Sequence, residues 1–325
     1  MSSSSSSSSS SPLNWLLWPP AVVSLLLLYV PFSAAIRRHQ LRVRARRHGS
    51  LANMTLDEAY AIKSRMAERE FPMAFSAALG SVFFKAEGVP SIAKLVYGAV
   101  QRSSSSSSSS PEKPRPGVTA TPASLLGCPG APGTWAAVDR VNYIHSLYRP
   151  SGKMSDDDLL YVLGLFALEP LRFIERWEWR APTLEERCAL ATLWRALGKD
   201  LEIPFHRLPS SCAAGSTSGF RDALHWLAEL EVWGREYEAR HRAPTAESAR
   251  LGEMQLDAWV RGVPVCFRGI ARGFVAALIE PGLRDAMGIQ APSALSVFIV
   301  ETVTRARSFV RGYFYSPVAL VRGYL

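Results

Sequence analysis

Apolar residues recur at helical spacing along most of the chain, broken by short polar or Gly/Pro-containing turns. Residues 56–69 and 72–85 read as two helices. Gly88-Val89-Pro90 turns the chain, and Ser91 is placed to cap a third. Ser155, followed by Asp156, Asp157 and Asp158, is an N-cap with an acidic first turn that suits the positive end of the helix dipole. It opens an apolar helix from Leu159 to about Trp179, in which Pro170 predicts a kink. Thr183 with Glu186 forms a capping box, and Gly198 is a natural stop for the helix between them. Ser218 is placed to cap a helix through Trp226 and Trp233 to about Arg240. Thr245 opens the next, ending near Gly262, and Pro264 starts one that stops at Pro281. Residues 295–303 are rich in β-branched side chains, although Ser293 and the arginine spacing beyond favour a helix there too. No alternating strand of useful length and no internal repeat is visible. The expected fold class is all-α, a single multi-helix domain over residues 51–292.

Several segments fall outside that domain. Residues 2–11 and 103–110 are unbroken serine runs, which have nothing to bury and cannot build a core. Residues 1–12 are expected to be a disordered tail. Residues 103–133, which continue into a stretch with six prolines, are expected to be a disordered insertion. The helices before this insertion are too few to form a core alone, so it divides one domain rather than separating two. Residues 293–325 carry Phe298, Phe309, Tyr313, Phe314 and Tyr315 among arginines, with no acid after Glu301. That mixture suits an amphipathic element at a membrane interface, or a helix that packs on the domain and exposes its arginines.

Residues 13–36 contain no charged side chain and are long enough, at 1.5 Å per residue, to span roughly 30 Å of hydrocarbon as a helix. Trp15, Trp18 and Tyr29 suit interfacial positions near its ends. Six arginines follow within residues 37–47, in a juxtamembrane segment taken as residues 37–50. The excess of positive charge on this flank predicts a single-pass anchor with its N-terminus in the lumen and everything after Arg37 on the cytosolic side. A cleaved signal peptide ending near Ser33-Ala34-Ala35 is the rival, opposed by the missing basic n-region and by the arginines that follow.

Composition narrows the choice further. The 325 residues are 48% hydrophobic, which rules out a wholly disordered chain. Four cysteines cannot make a disulfide scaffold, and no pair has CxxC spacing for a structural zinc. Removing the six clustered arginines takes the net charge from +9 to +3, so the basic balance belongs largely to a segment suited to anionic lipid headgroups. The rest shows no basic stripe interleaved with aromatics, and no nucleic-acid partner is expected.

The chain lacks HExxH, GxGxxG, P-loop and GxSxG motifs, so zincin, nucleotide-binding and α/β-hydrolase chemistry lose their usual support. His145 stands out among six histidines. On a helix it shares a face with Val141, Ile144, Tyr148 and Arg149. An imidazole on an apolar face, one turn from an arginine, can ligate a metal or haem iron, act as a base with a carboxylate such as Glu169, or be a buried, hydrogen-bonded core histidine. Glu169 and Arg172 flank Pro170 inside an apolar helix, where they must pair or face a polar site.

The blocks Arg140-Val141-Asn142-Tyr143-Ile144-His145-Ser146-Leu147-Tyr148, Lys153 to Tyr161 and Leu165 to Arg172, with Glu178-Trp179-Arg180, resemble the ER-bound oxygenases of mycophenolic acid biosynthesis. Their catalytic domain is shared with the rubber oxygenases. Gly88-Val89-Pro90-Ser91-Ile92 and Trp226 to Glu231 also fit, and the resemblance covers about residues 56–289. It implies an all-α, rubber-oxygenase-like domain that holds haem b through a histidine and uses O2 to oxidise or cleave an apolar, prenylated substrate. By this resemblance His145 is the iron ligand, and Arg149 supports the haem through a propionate or a group behind it. Thr121 is the match to a distal-side threonine, although the family's arginine four residues before it is Gly117 here. The expected partners are the bilayer, O2 and the apolar substrate, at the endoplasmic reticulum membrane. The alternative is a membrane-tethered helical scaffold that has lost the distal site and its chemistry.

Overall fold

A computed structural model describes Phe32, Ala35 and residues 51–106, 125, 127–211 and 219–314. Residues 48–306 form one compact unit; residues 1–47 and 307–325 belong to a second. The described residues contain eleven α-helices and no strand, as the helical period predicts. They are α1 (Leu56–Ser64), α2 (Pro72–Glu87), α3 (Pro90–Ser106), α4 (Pro132–Tyr148), α5 (Asp156–Trp177) and α6 (Leu184–Asp200), then α7 (Ala223–His241), α8 (Ala246–Val260), α9 (Arg268–Leu278), α10 (Pro281–Ala286) and α11 (Ala294–Phe314).

The organising element is α5. It starts at the Ser155–Asp158 capping box and continues through Pro170 to Trp177. Leu160, Leu163, Ala167, Leu171 and Ile174 are buried along it, and α2, α6 and α7 pack around it. Each such leucine contributes about 1.5–3 kcal/mol by leaving water. Trp194 on α6 and Trp226 on α7 fill the same core. On another side Tyr161 of α5 and Tyr237 of α7 lie 5.0 Å apart in a smaller cluster with Val82 and Val89.

Local capping chemistry reads through from sequence to structure. Thr183 and Glu186 cap α6 reciprocally, and Thr55 and Glu58 do the same for α1. Other expectations are corrected. Gly198 does not stop α6, which runs to Asp200. The missing side chain serves packing, since a Cβ there would lie 2.6 Å from Leu163 and 3.0 Å from Phe205. Ser91 lies inside α3 rather than capping it, and its hydroxyl donates to Asp158 at 2.7 Å. The helix proposed for residues 56–69 ends at Ser64 and passes into a π-turn over Arg65–Glu70. The segment from Pro264 is a short 3₁₀ turn followed by α9. α7 is capped by Asp222, whose carboxylate accepts the His225 amide at 2.7 Å; Ser218 lies outside the described residues.

α3 continues to Ser106 and α4 begins at Pro132, so regular structure reaches into both ends of the expected insertion. Residues 295–303 are helical, within α11. Among the described residues no helix is long and apolar enough to cross a membrane. The span expected at residues 13–36 lies outside them, apart from Phe32 and Ala35.

Candidate functional site

α4 presents Val138, Asn142, His145 and Arg149 on one face, at spacings of four, three and four residues. That face lies against the C-terminal end of α6. The Asn142 side-chain amide donates to the carbonyl of Asp200 at 2.9 Å, and Arg149 donates to the carbonyl of Glu202 at 3.0 Å. Arg149 also closes an ion pair with Asp156 at 2.7 Å, joining the end of α4 to the first turn of α5. Its guanidinium is therefore engaged by protein groups on two of its nitrogens.

Between these anchored neighbours the His145 imidazole is half-buried, with a buried Nδ1 that has no hydrogen-bond partner among the described residues. Burial, helped by the positive Arg149, lowers its pKa to about 4, so the ring is neutral at physiological pH. This is not a core histidine satisfied by a local acceptor. A neutral ring with an unclaimed nitrogen is the state in which imidazole ligates a metal. A pKa this low also makes it a weak base near neutrality. The carboxylate considered as its partner is committed elsewhere: Glu169 accepts from Lys85 at 3.0 Å and from Arg172 at 2.9 Å.

A cavity of about 270 Å³ opens at the N-terminal half of the same α4 face, between α1 and α6. Trp135 and Val138 of α4, Tyr60 and Lys63 of α1, and Trp194 and Leu197 of α6 line it. His145 is not in this lining; Val138 precedes it by two helical turns on the shared face. Lys63 is the residue that sequence reasoning missed. It is buried, its ammonium lies over the Tyr60 ring at 4.3 Å, and desolvation lowers its pKa below the ordinary lysine value. The signal was available, because Lys63 occupies the apolar register of Leu56, Ala59 and Tyr60.

Thr121 lies outside the described residues. So do Gly117 and Arg115, which precede it. Among the described residues no cluster of His, Cys, Asp and Glu could hold a metal ion through several side chains. His145 offers a single imidazole ligand on this face.

The described domain is thus all-α, built on α5, with a histidine-bearing face on α4. The chain is a member of the family described as ER-bound oxygenase mpaB/B'/Rubber oxygenase, catalytic domain, whose model matches residues 70–311. It is 33% identical over 310 residues to the ER-bound oxygenase mpaB' of Penicillium brevicompactum, covering 92% of this chain and 70% of that protein. It is 34% identical to the ER-bound oxygenase mpaB of Penicillium roqueforti over 280 residues, covering 83% of this chain and 90% of the relative. A third relative, the ER-bound oxygenase mpaB of Penicillium brevicompactum, is 36% identical over 244 residues and is matched over 57% of its own length. No solved structure matches the chain.

Proposed function

We propose that the chain is a membrane-anchored, haem-dependent oxygenase that oxidises or cleaves an apolar substrate carrying a prenyl chain. The observation that carries this reading is the His145 ring: neutral, half-buried and with its buried Nδ1 unclaimed by any described residue. Leaving such a nitrogen unpaired costs about 1–3 kcal/mol, and a ligand that uses the ring offsets that cost. When bound, haem b would supply the iron that binds and activates O2. His145 would hold that iron, and α4 would fix the ring by its attachments through Asn142 and Arg149 on either side. Arg149 acts through position, by keeping positive charge one turn from the ring and by tying α4 to α5. Thr121 would serve the distal side by family resemblance. The cavity beside Val138 and Trp135 offers an apolar wall that excludes water from a prenyl chain, with Lys63 as its one buried cation.

The relatives are named ER-bound, and the apolar span at residues 13–36 with its arginine flank supports the same placement here. The membrane in this reading is that of the endoplasmic reticulum, with the helical domain on its cytosolic side. A bilayer-dissolved substrate then meets a tethered catalyst at high local concentration.

The test is a visible spectrum of the purified full chain with iron quantified alongside. Near-stoichiometric iron with a Soret band is the expected result. A colourless, iron-free chain that also fails to take up added haemin would support the second reading, a tethered scaffold without chemistry. The commitment of Arg149 to Asp156 and Glu202 favours that alternative.

A further inference from the structure

The turn between α8 and α9 and the start of α9 form an apolar edge that packing inside the domain does not explain. Val265, Phe267 and Ile270 are 76%, 57% and 55% exposed. Leu295 and Phe298 at the start of α11 are each 67% exposed, and the two elements touch, because a Cβ on Gly273 would lie 3.1 Å from the Ser296 hydroxyl. Soluble surfaces scatter single apolar residues; five large exposed ones on two elements that touch mark a surface that meets something.

Two observations say what it meets. The first is charge. Residues 258–279 contain Arg261, Arg268 and Arg272 and no acid or lysine. Arg272 is paired with Glu253 and Asp257 of α8, but Arg261 makes no ion pair among the described residues. The edge therefore carries positive charge beside its apolar side chains, complementary to anionic headgroups. The second is the backbone. A loop that enters a membrane interface must satisfy its own polar groups. Here the Val263 amide donates to Val260 and the Phe267 amide to Pro264, both at 2.9 Å. The Arg268 guanidinium donates to the carbonyls of Val263 at 3.0 Å and Arg261 at 3.4 Å. The turn is braced internally while its apolar side chains point away.

We propose that residues 261–270, with Leu295 and Phe298, dock the catalytic unit onto a bilayer surface rich in anionic phospholipid. This rests on the reading of the chain as membrane-attached and adds a second contact, made by the folded unit itself. The contact would orient the domain rather than leave it free on a tether, and it puts α9 at the bilayer. α9 also supplies Val275 and Leu278 to a smaller cavity of about 90 Å³, which Lys85, Glu169 and Glu280 line as well, so that cavity would lie close to the lipid.

Cys266, exposed between Val265 and Phe267, allows a direct test. In full-length chain with Cys128 and Cys212 changed to Ser, Cys266 is labelled with an environment-sensitive fluorophore. The protein is reconstituted into phosphatidylcholine vesicles with and without phosphatidylserine, each containing brominated lipid as quencher. The expected result is quenching that is strong with phosphatidylserine and weak without it. F267D, carrying the same label, should lose the quenching, which excludes insertion driven by the fluorophore. R261A should weaken the loop's partition about fivefold, since each arginine near an anionic surface adds about 1 kcal/mol. Vesicle flotation separates the two readings. A chain that floats while Cys266 stays unquenched overturns the docking surface and leaves the anchor standing. A chain that does not float overturns both. Equal quenching in both lipid mixtures, or a label protected by dimer formation and unquenched by lipid, also overturns the proposal.

Discussion

The backbone amide of Arg149 donates to the carbonyl of His145 at 2.9 Å, closing the last turn of α4 and setting a guanidinium one turn beyond the imidazole. That side chain then leaves the helix for Asp156 and the Glu202 carbonyl. Burial depresses the imidazole first and the positive Arg149 second. In haem-free R149A the His145 pKa should therefore rise, yet stay below the ordinary histidine value because desolvation persists. An NMR titration of the His145 ring protons checks this. A pKa that returns fully to about 6.5 would show that Arg149, not burial, controls the ring.

The same depression has a stability consequence in the haem-free chain. Unfolded His145 binds a proton below about pH 6.5, whereas the folded ring binds one only near pH 4. The unfolded state thus holds more protons between these values, and stability falls as pH drops through that window. H145Q should flatten this part of the stability–pH curve, measured as urea midpoints from pH 7 down to pH 4. Identical curves for both proteins would contradict the buried, neutral ring.

Glu87 behaves in the opposite sense. It is buried between α2 and α8 with Gln255 as its hydrogen-bond partner, and desolvation raises its pKa to about 7. The folded carboxyl keeps a proton that the unfolded one has already lost above about pH 4.5, so stability is lost as pH rises from 4.5 through 7. E87Q should therefore stabilise the protein by about 1–2 kcal/mol at pH 8 and hardly at all at pH 4.5. Thermal melts at the two pH values give the comparison, and a gain that does not depend on pH would contradict it.

Buried charge also ties the core helices. Glu169 is 1% exposed and accepts from both Lys85 and Arg172, while Lys85 reaches on to Glu280 at 2.8 Å. E169A removes the anion between two cations, and one of these, Lys85, is itself buried. The expected loss is about 2 kcal/mol, below that for a wholly unpaired buried charge, because Glu280 still faces Lys85. K85M/E169L, which removes both members of the pair, should recover part of that loss. A single variant as stable as the parent would show that the network is not anchored as described.

What could be read from the sequence was mainly local. Ser155 and Thr183 announced the starts of α5 and α6, because a capping box lies within four residues and depends on nothing distant. The helix ends were harder, since they depend on packing. Gly198 looked like a stop by its intrinsic propensity, but Leu163 and Phe205 press against it and the helix runs on to Asp200. Ser91 looked like a cap, yet its hydroxyl is claimed by Asp158, a residue 67 positions away. His145 was legible as a candidate because it sits on an apolar helix face. Its lack of a partner was not legible, because that depends on what α6 brings alongside. The burial of Lys63 was legible in the apolar register of α1, but its place beside a cavity was not, because that depends on the packing of α1 on α6.

The most direct test of the account replaces His145 with Gly and adds imidazole back. The parent chain should show a Soret band with near-stoichiometric iron. His145→Gly should lose most of that absorbance while keeping its helical circular dichroism, and exogenous imidazole should restore it by occupying the vacated ligand position. A variant that keeps the parent's Soret band and iron content without imidazole would contradict His145 as the iron ligand.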